Sequence, residues 1–167
     1  MTNKRKFEKV SLLQWGVNIP RTGVSGEEWD KLHTDLQLPK RGTQLSAGYD
    51  IFAPYTFTLE PNQEEKIPTG IRAFMNDDNV LKAYPRSGHG FKYYVRLANT
   101  VGIIDADYVN SNNEGHIFVK LRNEGNVPMT INKGEGMCQV IFEQYFLTVD
   151  DESEGIRDGG FGSTNAK

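Results

Sequence analysis

Glycine and proline interrupt this chain so often that a long helix has nowhere to run. Seventeen glycines and seven prolines are scattered through 167 residues, a spacing that favours short strands joined by tight turns. Apolar and polar residues alternate in Tyr49–Ala53, Thr56–Leu59, His116–Leu121 and Met137–Phe142, as strands with one buried face require. Pro61-Asn62 and Asn132-Lys133-Gly134 carry turn chemistry between such runs. One helix is predicted, from Ser25 to Leu36. Ser25 can cap it, Glu27 and Glu28 suit its first turn, and Trp29, Leu32 and Leu36 recur at helical spacing. We expect it to be a surface insert, about residues 22–40, packed on its own domain. The expected organisation is one all-β domain over residues 1–149 and a tail, 150–167, that is acidic, then glycine-rich, and takes no fixed structure until something binds it.

The formal net charge is -3, so no overall basic field exists to hold a nucleic-acid backbone stably, whereas a free nucleotide needs only a local positive pocket. The single cysteine, Cys138, cannot form an intrachain disulfide and is expected to be a small buried hydrophobe. No Cys/His cluster has zinc-ligand spacing, which leaves an oxygen-ligated metal, if any. No apolar run reaches membrane length, and a cytoplasmic location is expected.

Three segments carry chemistry. In Pro85-Arg86-Ser87-Gly88 a planar guanidinium can grip two phosphate oxygens, a hydroxyl can donate to a third, and glycine permits close approach of the backbone. Alone, this tetrapeptide reads as a turn with a solvated arginine, followed by a loop histidine, His89, and a solvated Lys92. Residues Asn99 to Tyr108 read as a β-hairpin, with Arg96-Leu97-Ala98 and Ile103-Ile104 flanking a turn at Thr100-Val101-Gly102. Such a hairpin can hold a planar base, Asn99 offering an amide donor and a carbonyl acceptor suited to a pyrimidine edge. Asp105, between Ile104 and Ala106, suits a general base, and Tyr108 can pack beneath a sugar and leave no room for an extra hydroxyl. Gln139 lies in an apolar strand, either outward-facing by alternation or aimed at a ligand. The third segment runs from Arg157 to Thr164, where Phe161, Gly162, Ser163 and Thr164 look like a lid over base and phosphates.

In order and spacing these segments resemble the five motifs of the homotrimeric dUTPase family, bacterial or phage type. The motifs are Ala47-Gly48-Tyr49-Asp50, Pro85–Gly88, Asn99–Tyr108, Gly134–Gln139 and Arg157–Thr164. The resemblance implies a jelly-roll-like β-barrel, a homotrimer whose sites each draw on more than one subunit, and hydrolysis of dUTP to dUMP and pyrophosphate. It implies that Asp105 activates the attacking water, that Tyr108 excludes ribose, and that Asn99 with the backbone of Gly102 and Ile104 reads uracil. Arg86, Ser87, Gly88 and Gln139 would hold phosphates, while Arg157, Gly162, Ser163 and Thr164 would close on the γ end with Phe161 over the base. Mg2+ would be carried mainly by the triphosphate, with Asp50 acting on it through water. Two departures stand out: residues 109–115 form a longer loop than the family pattern, and the tail has one residue fewer between Arg157 and the Gly-Gly-Phe unit. A dCTP deaminase, which shares the fold, is disfavoured because Lys120 stands where its catalytic glutamate is expected. A regulatory protein partner, engaged through the helix near Trp29 or the loop Asn110 to Gly115 according to nucleotide occupancy, is the rival of a different class.

Overall fold

The structure is a computed structural model that describes residues 4–18 and 24–155. In chain order its elements are β1 (Lys6–Lys9), α1 (Leu12–Gly16), α2 (Gly26–Asp35), β2 (Lys40–Arg41), β3 (Tyr49–Phe52), β4 (Phe57–Leu59), β5 (Glu64–Pro68), β6 (Ile71–Phe74), β7 (Asn79–Pro85), α3 (Ser87–Tyr93), β8 (Val95–Leu97), β9 (Gly102–Asp105), a 3-10 turn (Ala106–Asn110), β10 (Phe118–Asn123), β11 (Met129–Ile131) and β12 (Gly136–Gln144). The class is the expected one, mostly β. Short strands assemble into a five-stranded sheet β2-β3-β12-β7-β9, a three-stranded sheet β5-β10-β8 and the pairs β1-β6 and β11-β4. Among the described residues these ladders do not join into a closed ring, and no helix is long and apolar enough to cross a membrane.

The inward faces of these strands bury one core, in which Ile51, Leu59, Ile67, Leu81, Leu121 and Val140 are almost wholly removed from solvent. Cys138 belongs to it, and burial pushes its thiol up to about 12, so it is the inert hydrophobe expected.

A second, smaller cluster of Val10, Trp15, Trp29 and Leu36 unites α1 and α2. The indoles of Trp15 and Trp29 stack at 4.2 Å, and each ring N–H donates to the other residue's carbonyl, at 2.9 and 3.0 Å, so neither buried donor goes unpaired. The Ser25 cap forms as predicted: its hydroxyl accepts from the Glu28 N–H while the Glu28 carboxylate accepts from the Ser25 N–H, a complete capping box. Helix α1, five residues long, carries no comparable signal. Gly70, at φ +71, lies where any side chain would collide with Leu36 and Trp15. The helical module therefore sits directly on the β core.

One expectation is corrected. Residues 96–104 do not form a hairpin: β8 pairs with β10, Leu97 opposite Leu121, whereas β9 pairs with β7, Gly102 opposite Ala83. The segment between them is a corner joining two sheets, with Thr100 at φ 68. Each flanking strand pairs with a strand remote in sequence, and local turn chemistry cannot reveal that choice.

Candidate active site

Two clefts collect most of the residues singled out in the sequence. The first, about 360 Å³, is lined by Asn99, Gly102, Ile104, Asp105, Tyr108 and Lys120 among others. The second, about 610 Å³, is lined by Asp50, Arg86, Ser87, Gly88, His89 and Gln139 among others. Within the chain they share no lining residue.

The second cleft is assembled where β3, β7 and β12 lie side by side, Gln139 opposite both Asp50 and Tyr84. Arg86 follows the end of β7 and opens α3 rather than sitting in a turn. Its Nε lies 3.2 Å from Asp50 Oδ1 and its Nη1 donates to the Gly136 carbonyl at 3.1 Å, so the guanidinium is paired and not simply solvated. Gln139 is half-buried, lines the cleft and donates through Nε2 to the Pro85 carbonyl at 3.1 Å. Glycines make room for both side chains. A Cβ on Gly136 would stand 2.8 Å from Arg86 Nη1, and one on Gly48 would stand 2.5 Å from Gln139 Oε1. His89, expected in a loop, belongs to α3 and is half-buried. Burial and then the neighbouring Arg86 charge hold its pKa below the ordinary histidine value, which keeps the ring neutral at pH 7.

The first cleft rests on backbone. Asp105 ends β9 opposite Val80 and leads into the 3-10 turn. Tyr108, on that turn and not on a sheet, is buried. Its hydroxyl donates to the His116 carbonyl at 2.9 Å and accepts from Asn113 Nδ2 at 2.8 Å. The His116 ring is wholly buried, and burial pushes its pKa down to about 4. It is therefore neutral, with Nε2 accepting from the Gly70 N–H at 2.8 Å. Gly115, at φ +71, would place a Cβ 2.5 Å from Val109 Cα, so the long loop after Tyr108 folds tightly back on the turn. Lys120 at the wall is ion-paired with Glu64. Arg157, Phe161, Gly162, Ser163 and Thr164 lie outside the described residues.

Sequence reasoning gave no role to Asn113 or His116, or to Gly48 and Gly136 beyond their place in motifs. The two glycines sit inside motifs where a side chain needs space, and that was their only signal. Asn113 belongs to a polar stretch indistinguishable from an ordinary loop, and His116 reads only as the first residue of an alternating strand run.

A mostly β chain with an arginine-amide cleft suited to phosphates, and a second cleft combining a carboxylate, an exposed amide and a buried tyrosine, defines a nucleotide-binding protein. The dUTPase family model matches residues 34–165, and the chain belongs to that family. A deoxyuridine 5'-triphosphate nucleotidohydrolase of Lactococcus lactis is 42% identical over 134 residues, 78% of this chain and 89% of the relative. The crystal structure of dUTPase from Streptococcus mutans superposes with a TM-score of 0.64 at 32% identity, covering 85% of this chain and 97% of that one. A mutant dUTPase from phage phi11 of S. aureus, whose structure details coordination of a structural Mg(II) ion, shares the fold, with a TM-score of 0.61 at 21% identity over 72% of this chain and 92% of its own.

Proposed function

We propose that the protein hydrolyses dUTP to dUMP and pyrophosphate. The observation that carries this reading is the convergence of Asn99, Gly102, Ile104, Asp105 and Tyr108 on one cleft, in a chain of the dUTPase family. Asn99 and the backbone of Gly102 and Ile104 bind the uracil edge, and the Tyr108 ring lies against the deoxyribose. Asp105 takes a proton from water as the water oxygen bonds to the α-phosphorus. The bond from that phosphorus to the bridging oxygen breaks, and pyrophosphate leaves. Arg86, Ser87, Gly88 and Gln139 bind the phosphates, and the tail closes with Arg157, Phe161, Gly162, Ser163 and Thr164 over the γ end and base.

That the two clefts share no lining residue supports a homotrimer in which one subunit's Asp105 cleft meets another's Arg86 cleft. Phe91, Tyr94 and Phe146 are exposed and provide apolar surface for such an interface.

Among the described residues no group of three acidic, histidine or cysteine side chains could cage a metal, and Asp50 is engaged with Arg86. This donor set fits Mg2+ carried by the triphosphate, with Asp50 reaching it through water. The ion, when bound, neutralises phosphate charge. Lys120, paired with Glu64 in the position a deaminase would need for glutamate, favours hydrolysis over deamination.

The test is pyrophosphate release from dUTP, dTTP, dCTP and UTP with Mg2+, by wild type and Asp105→Asn. Selective turnover of dUTP that falls at least roughly a hundredfold in the variant, with dUTP still bound, is the expected result. No turnover of any nucleotide by the wild type would overturn the reading and favour a nucleotide-gated binding protein.

A further inference from the structure

The loop that follows Tyr108 is built to hold one atom. Asn113 donates through Nδ2 to the Tyr108 oxygen at 2.8 Å, while its Oδ1 accepts from the Gly115 N–H at 3.1 Å. The tyrosine proton goes the other way, to the His116 carbonyl. Both the donor and an acceptor site of the phenol are thus fixed, and the ring cannot shift without breaking a buried hydrogen bond.

The loop is itself braced. Glu114 adopts φ 58 and Gly115 φ 71, and a left-handed glutamate persists only where its surroundings hold it. The holding group is Ser11, at the cap of α1, whose N–H and hydroxyl donate to the Glu114 carboxylate at 2.8 and 2.5 Å. Arg72 Nη1 lies 3.7 Å from the same carboxylate. The helical module therefore grips the loop that presents Asn113.

A wall that rejects a single hydroxyl must not yield by more than about 0.5 Å. We infer that Asn113 is a positioning residue that fixes the Tyr108 hydroxyl and so sets the discrimination between deoxyribose and ribose nucleotides, with the Ser11–Glu114 contact as its brace. The inference rests on the reading of Tyr108 given above as the wall against the sugar.

The experiment measures kcat/KM for dUTP and UTP with the full chain, for wild type, Asn113→Ala, Asn113→Asp, Tyr108→Phe and the double variant Asn113→Ala/Tyr108→Phe. Asn113→Ala lowers the dUTP-to-UTP ratio roughly fivefold, mainly by raising turnover of UTP, which general destabilisation does not do. Asn113→Asp keeps an acceptor for Gly115 but loses the amide donor, and shows the same loss, which separates positioning from collapse of the loop. In the Tyr108→Phe background Asn113→Ala adds nothing, because its target is already gone. An unchanged ratio in both Asn113 variants, or a full effect of Asn113→Ala on top of Tyr108→Phe, overturns the inference while a dUTP-selective wild type leaves the proposed function standing. A wild type that does not hydrolyse dUTP overturns both.

Discussion

The two clefts are made of different material. Around Tyr108 the walls are backbone and buried polar contacts: a carbonyl of His116, a left-handed Gly115 pressed on Val109, and an imidazole that accepts from the Gly70 N–H. Around Arg86 the walls are the tips of side chains lying in spaces that Gly48 and Gly136 leave open. Backbone packing resists displacement, whereas the end of an arginine or glutamine moves at little cost. The first cleft is thus part of the folding unit, and the second is an adjustable grip. Substitutions in the buried supports of the first, such as Gly115 and His116, should register as lost stability, and substitutions that crowd the side chains of the second as weaker binding of substrate.

The largest effect is expected from Gly115→Ala. Its new Cβ meets the backbone of both Val109 and Tyr108, in a conformation that disfavours any side chain, and a loss of about 3 kcal/mol or more follows. Thermal unfolding by circular dichroism should show it; a melting temperature equal to wild type would erase the distinction between the clefts.

Acid should come next. His116 titrates near 6.5 when unfolded and at about 4 in the fold, so between these values the unfolded chain binds more protons. Its contribution is whole above pH 6.5 and drains away as pH falls toward 4, amounting to on the order of 3 kcal/mol. Urea midpoints measured across this range should fall with acid, and His116→Gln should flatten that step. A midpoint that is constant from pH 6.5 to 4.5 would remove the imidazole from the account of the first cleft.

Gly136→Ala should be mildest for the fold. Its Cβ displaces Arg86 Nη1 from 2.8 Å, a flexible tip that gives way, so melting changes little while KM for the nucleotide rises roughly tenfold through loss of charge-assisted phosphate bonds. Thermal and kinetic assays on one preparation would expose the opposite pattern.

The sequence was most legible where structure is local. Alternation marks β3, β4 and most of β12, and Ser25 with Glu27 and Glu28 marks the start of α2 without any tertiary contact. Helix α3 could not be read, because Gly88 and Gly90 are poor helix formers and Arg86 supplies no side-chain cap. Its end depends on Tyr94 in a left-handed conformation, with its N–H bonded to the Gly90 carbonyl. The corner at Asn99–Val101 was misread for a related reason: strand partners are chosen across the fold, and β8 and β9 each left their sequence neighbour for another strand. In the site, the residues with distinctive chemistry, Arg86, Asp105, Tyr108 and Gln139, could be named from motifs. Their supports could not, since Asn113 and His116 act through contacts 5 and 8 residues along the chain from Tyr108 that no periodicity announces.

The central claim is that the rigid cleft of one subunit and the adjustable cleft of another make a single catalytic site. Co-expression of differently tagged Asp105→Asn and Arg86→Ala chains, followed by isolation of mixed oligomers, tests it most directly. Each variant alone is inactive. If the clefts belong to different subunits of a trimer, each mixed trimer keeps roughly a third of its sites with both residues intact, and dUTP hydrolysis returns to about that fraction of wild type. If the mixed oligomers stay as inactive as either parent, both residues act within one subunit and the account of a divided site is wrong.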